Sequence, residues 1–475
     1  MAAAHDATVV GSGPNGLAAA VTLAEAGLSV QVLEMAEQPG GGLRTEELVE
    51  PGFHHDICST VMALAPISPF LSRFSLDLVR SPAPLAHPLD DGTAVMLERS
   101  LDRTARGLGR DAAAYRRLME PLAAQATALA GEVLQPPLHL PRHPLAMARF
   151  GPPALLPAAR LARSGFRDQR ARALFAGVAG HSMLPLDRPL SSAFALVMLT
   201  AAHAGGWPLA RGGSSTVADT LLRRLRELGG EVRCGHQVRS VEELDGARAV
   251  LLDLVPKGVL EVAGHRFPDR YRRRLERYRL GAGVFKLDWT LEAPIPWRSP
   301  ECARAATVHL GGTLEEIVDG EWQVSQGRHP ERPFVILVQP TLFDPERAPA
   351  GRHVAWAYCH VPNGSTSDMS EAVEKQVERF APGFRDLVRS RSVWSPARLE
   401  RREPNCVGGD IGGGLMDFRQ VLARPVLKAV PYATPDPSLF ICSAATPPGG
   451  AVHGMCGVNA AQAALRRRFA RRQLR

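Results

Sequence analysis

Residues 9–34 read VVGSGPNGLAAAVTLAEAGLSVQVLE, and the order of residue types in this stretch decides the class of fold. An apolar run, residues 7–10, leads into Gly11, Gly13 and Gly16, spaced G-x-G-x-x-G, and then into a segment rich in alanine and leucine that favours helix. Glycine makes such a tight turn cheaply, and Gly13 lets a pyrophosphate approach the backbone. The unpaired N–H groups at the helix start attract its charge. A second apolar run, residues 29–33, ends at Glu34, eighteen residues beyond Gly16, where a carboxylate can accept hydrogen bonds from a ribose. Strand, turn, helix, strand and acid in this register predict an α/β domain that binds a dinucleotide. A Gly-rich turn that binds nothing is the alternative.

The remaining 441 residues after Glu34 leave room for a second domain in a chain of 475. Hydrophobic content of 45% and charged content of 22% are ordinary for a globular protein. No apolar run approaches a membrane span and no secretory leader stands before the first strand, so a cytoplasmic location is expected. The seven cysteines are scattered, with no C-x-x-C pair, which favours free thiols and speaks against a metal site. Basic residues comprise four lysines and 52 arginines spread along the chain, so the net charge of +8 reads as solvated surface, and no nucleic-acid partner is expected. The one dense cluster is the tail RRRFARRQLR, residues 466–475, whose charge suits the end of a helix.

Three blocks have nucleotide-domain character: 1–72, 205–256 and 403–475. Two longer ones, 73–204 and 257–402, separate them and combine helical stretches such as ALLPAARLAR with strand-like runs such as GVFKLDW, FVILVQP and HVAWAYCHV. Such interleaving implies a substrate domain of α+β character built from two separated segments.

The residues just beyond Glu34 separate FAD from a nicotinamide cofactor. Gly40, Gly41 and Gly42 come six residues after the acid, with Arg44 close behind, an element that a longer cofactor needs to close over its pyrophosphate and ribityl chain. Near the other end, LFICSAATPPGGAVHGMCGVNAAQAAL is a strand, a loop with Gly449, Gly450, Gly454 and Gly457, and an alanine-rich helix whose start can stabilise negative charge on a flavin ring.

The N-terminal GSGPNGLAAAVTLAEAG…VLE…PGGGLRTEE, the central GVFKLDWTLEAPIPW and AGRHVAWAYCHVPNG, and the terminal PNCVGGDIGGG…RP…TPPGGAVHGMCGVNAA together resemble the phytoene-desaturase-like flavoproteins of the amine-oxidase superfamily. Within them the chain is most similar to the bacterial branch named for pyridine nucleotide-disulphide oxidoreductase domains. The resemblance spans essentially the whole chain. It implies a glutathione-reductase-type, Rossmann-like FAD-binding domain with a discontinuous substrate domain. By position it assigns Gly11, Gly13, Pro14, Asn15, Gly16 and Glu34 to the ADP half, Gly41, Gly42 and Arg44 to the pyrophosphate side, and the backbone of Val238 to adenine. Gly449, Gly450, Val452, Gly454 and Met455, within the loop 449–458, fall beside the isoalloxazine. The chain departs from the pattern in carrying Gly42 where the superfamily's G-G-R has arginine, in lacking the ribityl-contacting acid around Ser443–Ala445, and in a trimmed stretch after Val238 that leaves the adenine site more open.

Flavin dehydrogenation moves a hydride from carbon to flavin, so no strong acid–base triad is expected, and none is visible. Three catalytic candidates stand out. His55, in FHHDICST, comes after the GG loop, with Asp56 beside it; His453 lies in the flavin loop; and Lys286 shares a strand face with Val284 and Asp288 while Phe285, Leu287 and Trp289 fill the other. Lys286 is similar to the amine-oxidase lysine that holds a water at the flavin's hydride-accepting nitrogen, and a solvated lysine paired with Asp288 is the equal alternative. Cys58 reads as a small buried thiol ahead of a covalent flavin attachment. Trp356, Tyr358 and Phe334 are candidates for an aromatic pocket wall.

The expected activity is FAD-dependent desaturation or oxidation of a largely apolar small molecule, a polyene or secondary-metabolite intermediate, with dioxygen or quinone favoured as acceptor. A redox-neutral flavin-dependent isomerase and a flavin-free binding or scaffold protein remain as alternatives. The segment 138–163, apolar and arginine-rich, reads as a helix that covers the substrate domain or touches a membrane surface.

Overall fold

The computed structural model describes residues 5–470, so the last five residues of the basic tail lie outside the described part. Two sheets organise the chain. The first has five strands, all parallel, in the order Leu439–Ile441, Ala249–Leu252, Ala7–Val10, Val30–Leu33, Glu231–Arg233. Its central strand Ala7–Val10 is buried along its whole length, as a parallel strand covered by helices on both faces must be. The helix Pro14–Glu25 comes directly after it and packs against Met455–Ala464. Gly457 serves this contact: a Cβ there would lie 1.9 Å from the carbonyl oxygen of Asn15. The flavin loop expected over 449–458 therefore ends at Gly454, and Gly457 is a packing residue inside the helix.

The second sheet has seven strands in the order Val388–Trp394, Gly283–Leu291, His353–Val361, Val335–Val338, Ala305–Leu310, Ala83–Pro88, Ala94–Leu97. Its pairings are antiparallel except that between Ala305–Leu310 and Ala83–Pro88. One face carries Phe285, Leu287, Trp289 and Leu337 into a core closed by Val373, Val377 and Phe380 of the helix Ser370–Phe380. The other face looks toward the five-stranded sheet and toward the helices Gln169–Gly180 and Ser191–Gly205. The architecture is a Rossmann-like α/β unit joined to an α+β unit, both assembled from separated stretches of chain.

The segment 138–163 is not one helix. Pro144–Leu155 and Ala158–Gly165 are separate, because Leu156 precedes Pro157 and takes an extended conformation with ψ of 154°. Among the described residues no helix is long and apolar enough to cross a membrane.

Candidate functional site

A cavity of about 1220 Å³ opens between the two sheets. That exceeds the room a single small ligand takes, roughly 300–1,000 Å³, and its lining changes character along its length. One end is backbone and charge: Gly11, Gly13, Pro14, Asn15, Glu34, Gly41, Gly42, Arg44 and Val238 all line it. Gly11 takes a φ of +98°, which favours glycine, and a Cβ on Gly41 would come within 2.9 Å of the Gly13 Cα. The two glycine turns are thus pressed together into one cradle. Gly13 is the extended N-cap of Pro14–Glu25, and no side chain of the turn itself caps the helix. Pro14 has no N–H and the Gly16 N–H is taken by Asp253, so the helix dipole and the Asn15 N–H are what this turn offers an anion. Glu34 holds the turn: its Oε2 accepts from the Ser12 N–H at 2.9 Å and the Ser12 hydroxyl at 2.6 Å, and its Oε1 accepts from the Ala36 N–H at 2.8 Å. A carboxylate has room for a further donor such as a ribose hydroxyl.

Gly16 does not line the cavity; a Cβ there would sit 2.1 Å from the Gly11 carbonyl oxygen, so its role is turn–helix packing. Arg44 lines the cavity, but its guanidinium is turned to Glu403 and to the carbonyls of Gly41 and Arg402, and burial lowers its pKa. Val238 packs with Val10, Leu33 and Val241, and the helix Pro256–Ala263 flanks that end through Lys257, Glu261 and Val262.

At the middle of the cavity Gly450, Val452 and His453 are lining residues, while Gly449, Gly454 and Met455 stand behind them. Gly454 is a left-handed N-cap with φ of +72° for the helix Met455–Ala464. The Met455 N–H donates to His453 Nδ1 at 3.0 Å, so the ring proton of His453 sits on Nε2, and the backbone carbonyls of Gly449 and Gly450 accept from the ring. Burial lowers its pKa to about 4 and keeps it neutral.

Lys286 and His55 do not line the cavity. The Lys286 ammonium is 4% exposed and donates to both Asp288 oxygens at 2.6 Å and to the Asp56 carbonyl at 3.1 Å. It is neither solvated nor open, and it lies 5.5 Å from the ring centre of Trp356, a residue of the cavity lining. His55 is buried with Nδ1 3.4 Å from Asp288. Burial would raise Asp288, but Lys286 and His55 hold its carboxyl below the usual range. Asp56, close by, accepts from Arg347, Ser214 and Thr45 and is likewise held low against the burial that raises it. Trp356 and Tyr358 stack at 5.9 Å and form the aromatic wall, whereas Phe334 belongs to the core. Cys58 lies against Gly42 and hydrogen-bonds Cys406.

Beyond this wall the cavity is apolar, lined by Met147, Phe150, Ala193, Phe194, Val197 and Met198. Its few polar groups include His181, Thr307 and a Glu132–His139 pair joined at 2.6 Å. Among the described residues no group of side chains could hold a metal ion.

Sequence reasoning assigns no role to Asp253, Asp410, Arg424 or His181. Asp253 directly follows Ala249–Leu252, the strand beside the central one, and accepts from the Gly16 N–H at 2.9 Å, capping the dinucleotide helix from outside. Asp410 and the buried Arg424 brace the loop Gly412–Gly414: Asp410 accepts from the N–H groups of Gly281 and Gly412, and Arg424 donates to the carbonyls of Gly413 and Ala444. The available signals were an acid at a strand's carboxyl end and the acid and arginine flanking GGG.

The family model of an NAD(P)-binding Rossmann-like domain matches residues 9–74. Pyridine nucleotide-disulfide oxidoreductase domain-containing protein 2 of Mus musculus is 26% identical over 573 aligned positions, covering 97% of this chain and 93% of the relative. The phytoene dehydrogenase of Streptomyces griseus is 29% identical over 445 positions, covering 85% of this chain and 80% of the relative. A solved structure of a putrescine oxidase variant shares the fold with a TM-score of 0.60 at 17% identity, covering 98% of this chain and 99% of that one.

Proposed function

We propose that this chain, which belongs to the phytoene-desaturase-like flavoproteins of the amine-oxidase superfamily, is an FAD-dependent oxidoreductase that takes hydride from a largely apolar small molecule. The observation that carries the reading is continuity: one cavity joins the glycine cradle and Glu34 to the apolar chamber around Phe150 and Met198. A dinucleotide in the cradle and a hydrocarbon in the chamber would meet between His453 and Trp356. When bound, FAD supplies the hydride acceptor. The protein's own part is to hold the pyrophosphate at the Gly13 N-cap, to bind the ribose at Glu34, and to exclude water from the reacting carbon. The acceptor that reoxidises the enzyme is proposed to be dioxygen or a quinone, since the lining outside the cradle is apolar.

The test is anaerobic reduction of the FAD-loaded protein by phytoene and by limonene in detergent, then exposure to dioxygen or a soluble quinone. Loss of the yellow absorbance with stoichiometric oxidised product supports the reading, and product isomerised without reduction replaces it with isomerase chemistry. In parallel, Gly13→Val puts a branched side chain 2.9 Å from Asp253 and into the cradle, so it should purify folded and colourless. A wild-type protein that takes up no FAD would overturn the proposal.

A further inference from the structure

Cys58 and Cys406 come from distant parts of the chain, and both line the cavity. They pack against the same small cluster of Ile57, Val284, Trp394 and Leu399, and their thiols are hydrogen-bonded to each other. Both keep part of their surface open, whereas Cys302, Cys359, Cys442 and Cys456 are buried. The backbone on each side is held. The N–H groups of Ile57 and Ser59, flanking Cys58, donate to the carbonyls of Arg44 and Gly42. Cys406 sits in a turn, its N–H donating to the Glu403 carbonyl at 2.7 Å and its carbonyl accepting from the Gly409 N–H at 2.9 Å. Gly42 leaves the first thiol its room: a Cβ there would stand 3.2 Å from the Cys58 Cβ and 3.5 Å from its Sγ. The glycine that departs from the G-G-R pattern thus admits a sulfur at the edge of the cradle.

The two thiols are not alike. The hydrogen bond from Cys406 lowers the pKa of Cys58, and Lys286 and Arg44 add to this against burial and the charge of Asp288. Cys406 is raised by the same hydrogen bond, by burial, and by Asp410 and Glu400. The other five, Cys234, Cys302, Cys359, Cys442 and Cys456, are all raised, chiefly by burial. A thiol with thiolate character near two cations, touching a second thiol that keeps its proton, has the arrangement of a nucleophile and its resolving partner.

We propose that Cys58 and Cys406 form a redox-active pair, which hydrogen peroxide joins into a disulfide that staples the cradle end of the cavity. The Cys58 thiolate attacks one peroxide oxygen. The O–O bond breaks, hydroxide leaves and takes up the proton that Cys58 gave up, and Cys58 becomes a sulfenic acid. The Cys406 sulfur then attacks the Cys58 sulfur, the S–O bond breaks, and the hydroxyl departs with the Cys406 proton as water. Two electrons pass from the sulfurs to the peroxide, which ends as two waters. The seam that the disulfide would tie is already bridged by charge: Arg44 pairs with Glu403, and Arg402 with Glu46. Gly41, Gly42, Arg44 and Cys58 line the cavity on one side of this seam, and Arg402, Glu403 and Cys406 on the other.

Peptide mapping of the purified protein, with free thiols blocked under denaturing conditions, tests the chemistry. Brief exposure to hydrogen peroxide should cost two of the seven free thiols and link the peptides of Cys58 and Cys406, and dithiothreitol should undo both changes. Cys406→Ser should stop at a sulfenic acid on Cys58 that dimedone captures, while Cys58→Ser should leave Cys406 unlabelled. Peptides that stay unlinked in the wild type, or equal dimedone capture in the two variants, would overturn the pair. A second measurement tests the staple and rests on the FAD reading above. The oxidised protein should release FAD about tenfold or more slowly than the reduced one, as a cross-link that restrains opening requires, and Cys406→Ser should abolish the difference. Equal release from the two forms overturns the staple. A protein that takes up no FAD overturns the functional reading and leaves the thiol measurement to decide the pair.

Discussion

Asp253 is the residue on which cradle electrostatics turn. It is buried at the end of a parallel strand, its carboxylate against the N–H of Gly16 at the start of the helix that would also hold the pyrophosphate. Burial, with Glu34 adding, raises its pKa to about 7 from 3.8. In the unfolded chain it ionises near the ordinary value. Between the two values the folded state keeps a proton the unfolded state has lost, so folding is favoured at the acid side. That contribution fades as pH rises and is gone above about 7, a change of up to about 4 kcal/mol. The same sign governs cofactor binding, since an ionised Asp253 repels the pyrophosphate. FAD affinity, measured by fluorescence quenching, should therefore fall from pH 6 to 8 in the wild type. In Asp253→Asn, which keeps an oxygen for Gly16, the profile should be flat and the affinity higher at pH 8. A parallel decline in the variant would show that the carboxylate is not responsible. The sequence made Gly11, Gly13 and Glu34 legible because their spacing is local. Asp253 reaches the same turn from 237 positions away, and no local pattern announces such a partner.

At the scale of the strand, alternation along Gly283–Leu291 was readable: Phe285, Leu287 and Trp289 enter the core, and Lys286 and Asp288 share the opposite face. The partners that face meets were not readable, because they depend on Asp56, His55 and Trp394 arriving from other segments. Lys286 is enclosed, its ammonium satisfied by Asp288 and the Asp56 carbonyl. Replacing it by methionine leaves the Asp288 carboxylate buried without its cation, which costs about 3–5 kcal/mol. Lys286→Met should accordingly lower the thermal midpoint sharply. The double variant Lys286→Met/Asp288→Asn should recover much of the loss, as expected when the charge left behind, and not the missing contact, is what destabilises. A midpoint unchanged in Lys286→Met would mean that the pair contributes nothing. If the double variant, folded and loaded with FAD, reoxidises in dioxygen about tenfold more slowly, the ammonium also acts through the Trp356 wall on the flavin, at about 1.4 kcal/mol of barrier.

For the molecule as a whole, the question is how an apolar substrate reaches an apolar chamber from water. The cavity's lining and the protein's exposed hydrophobic side chains converge in two places. Leu138, Leu140, Leu145 and Leu155 are 61%, 92%, 59% and 52% exposed, and they belong to the same stretch of chain as the lining residues Met147 and Phe150. Ile411, Phe418 and Leu422 are exposed and line the cavity themselves. Isolated exposed leucines are ordinary, but a set on the stretch of chain that also lines an apolar cavity is what a contact surface would present. Arg142, Arg149, Arg160 and Arg163 punctuate the first stretch, the composition of a segment that lies on an anionic bilayer, apolar side chains in the acyl boundary and cations among the headgroups. Such a seat would let a hydrocarbon pass from lipid to cavity without crossing water. The protein should float with vesicles containing phosphatidylglycerol at low ionic strength and be released by salt only in part, since burial of the leucines is not screened. Leu140→Glu combined with Leu145→Glu should abolish flotation while leaving FAD content unchanged, because neither side chain touches the cradle. Wild-type protein that stays wholly in the soluble fraction would mean that the exposed rim serves some purpose other than a membrane.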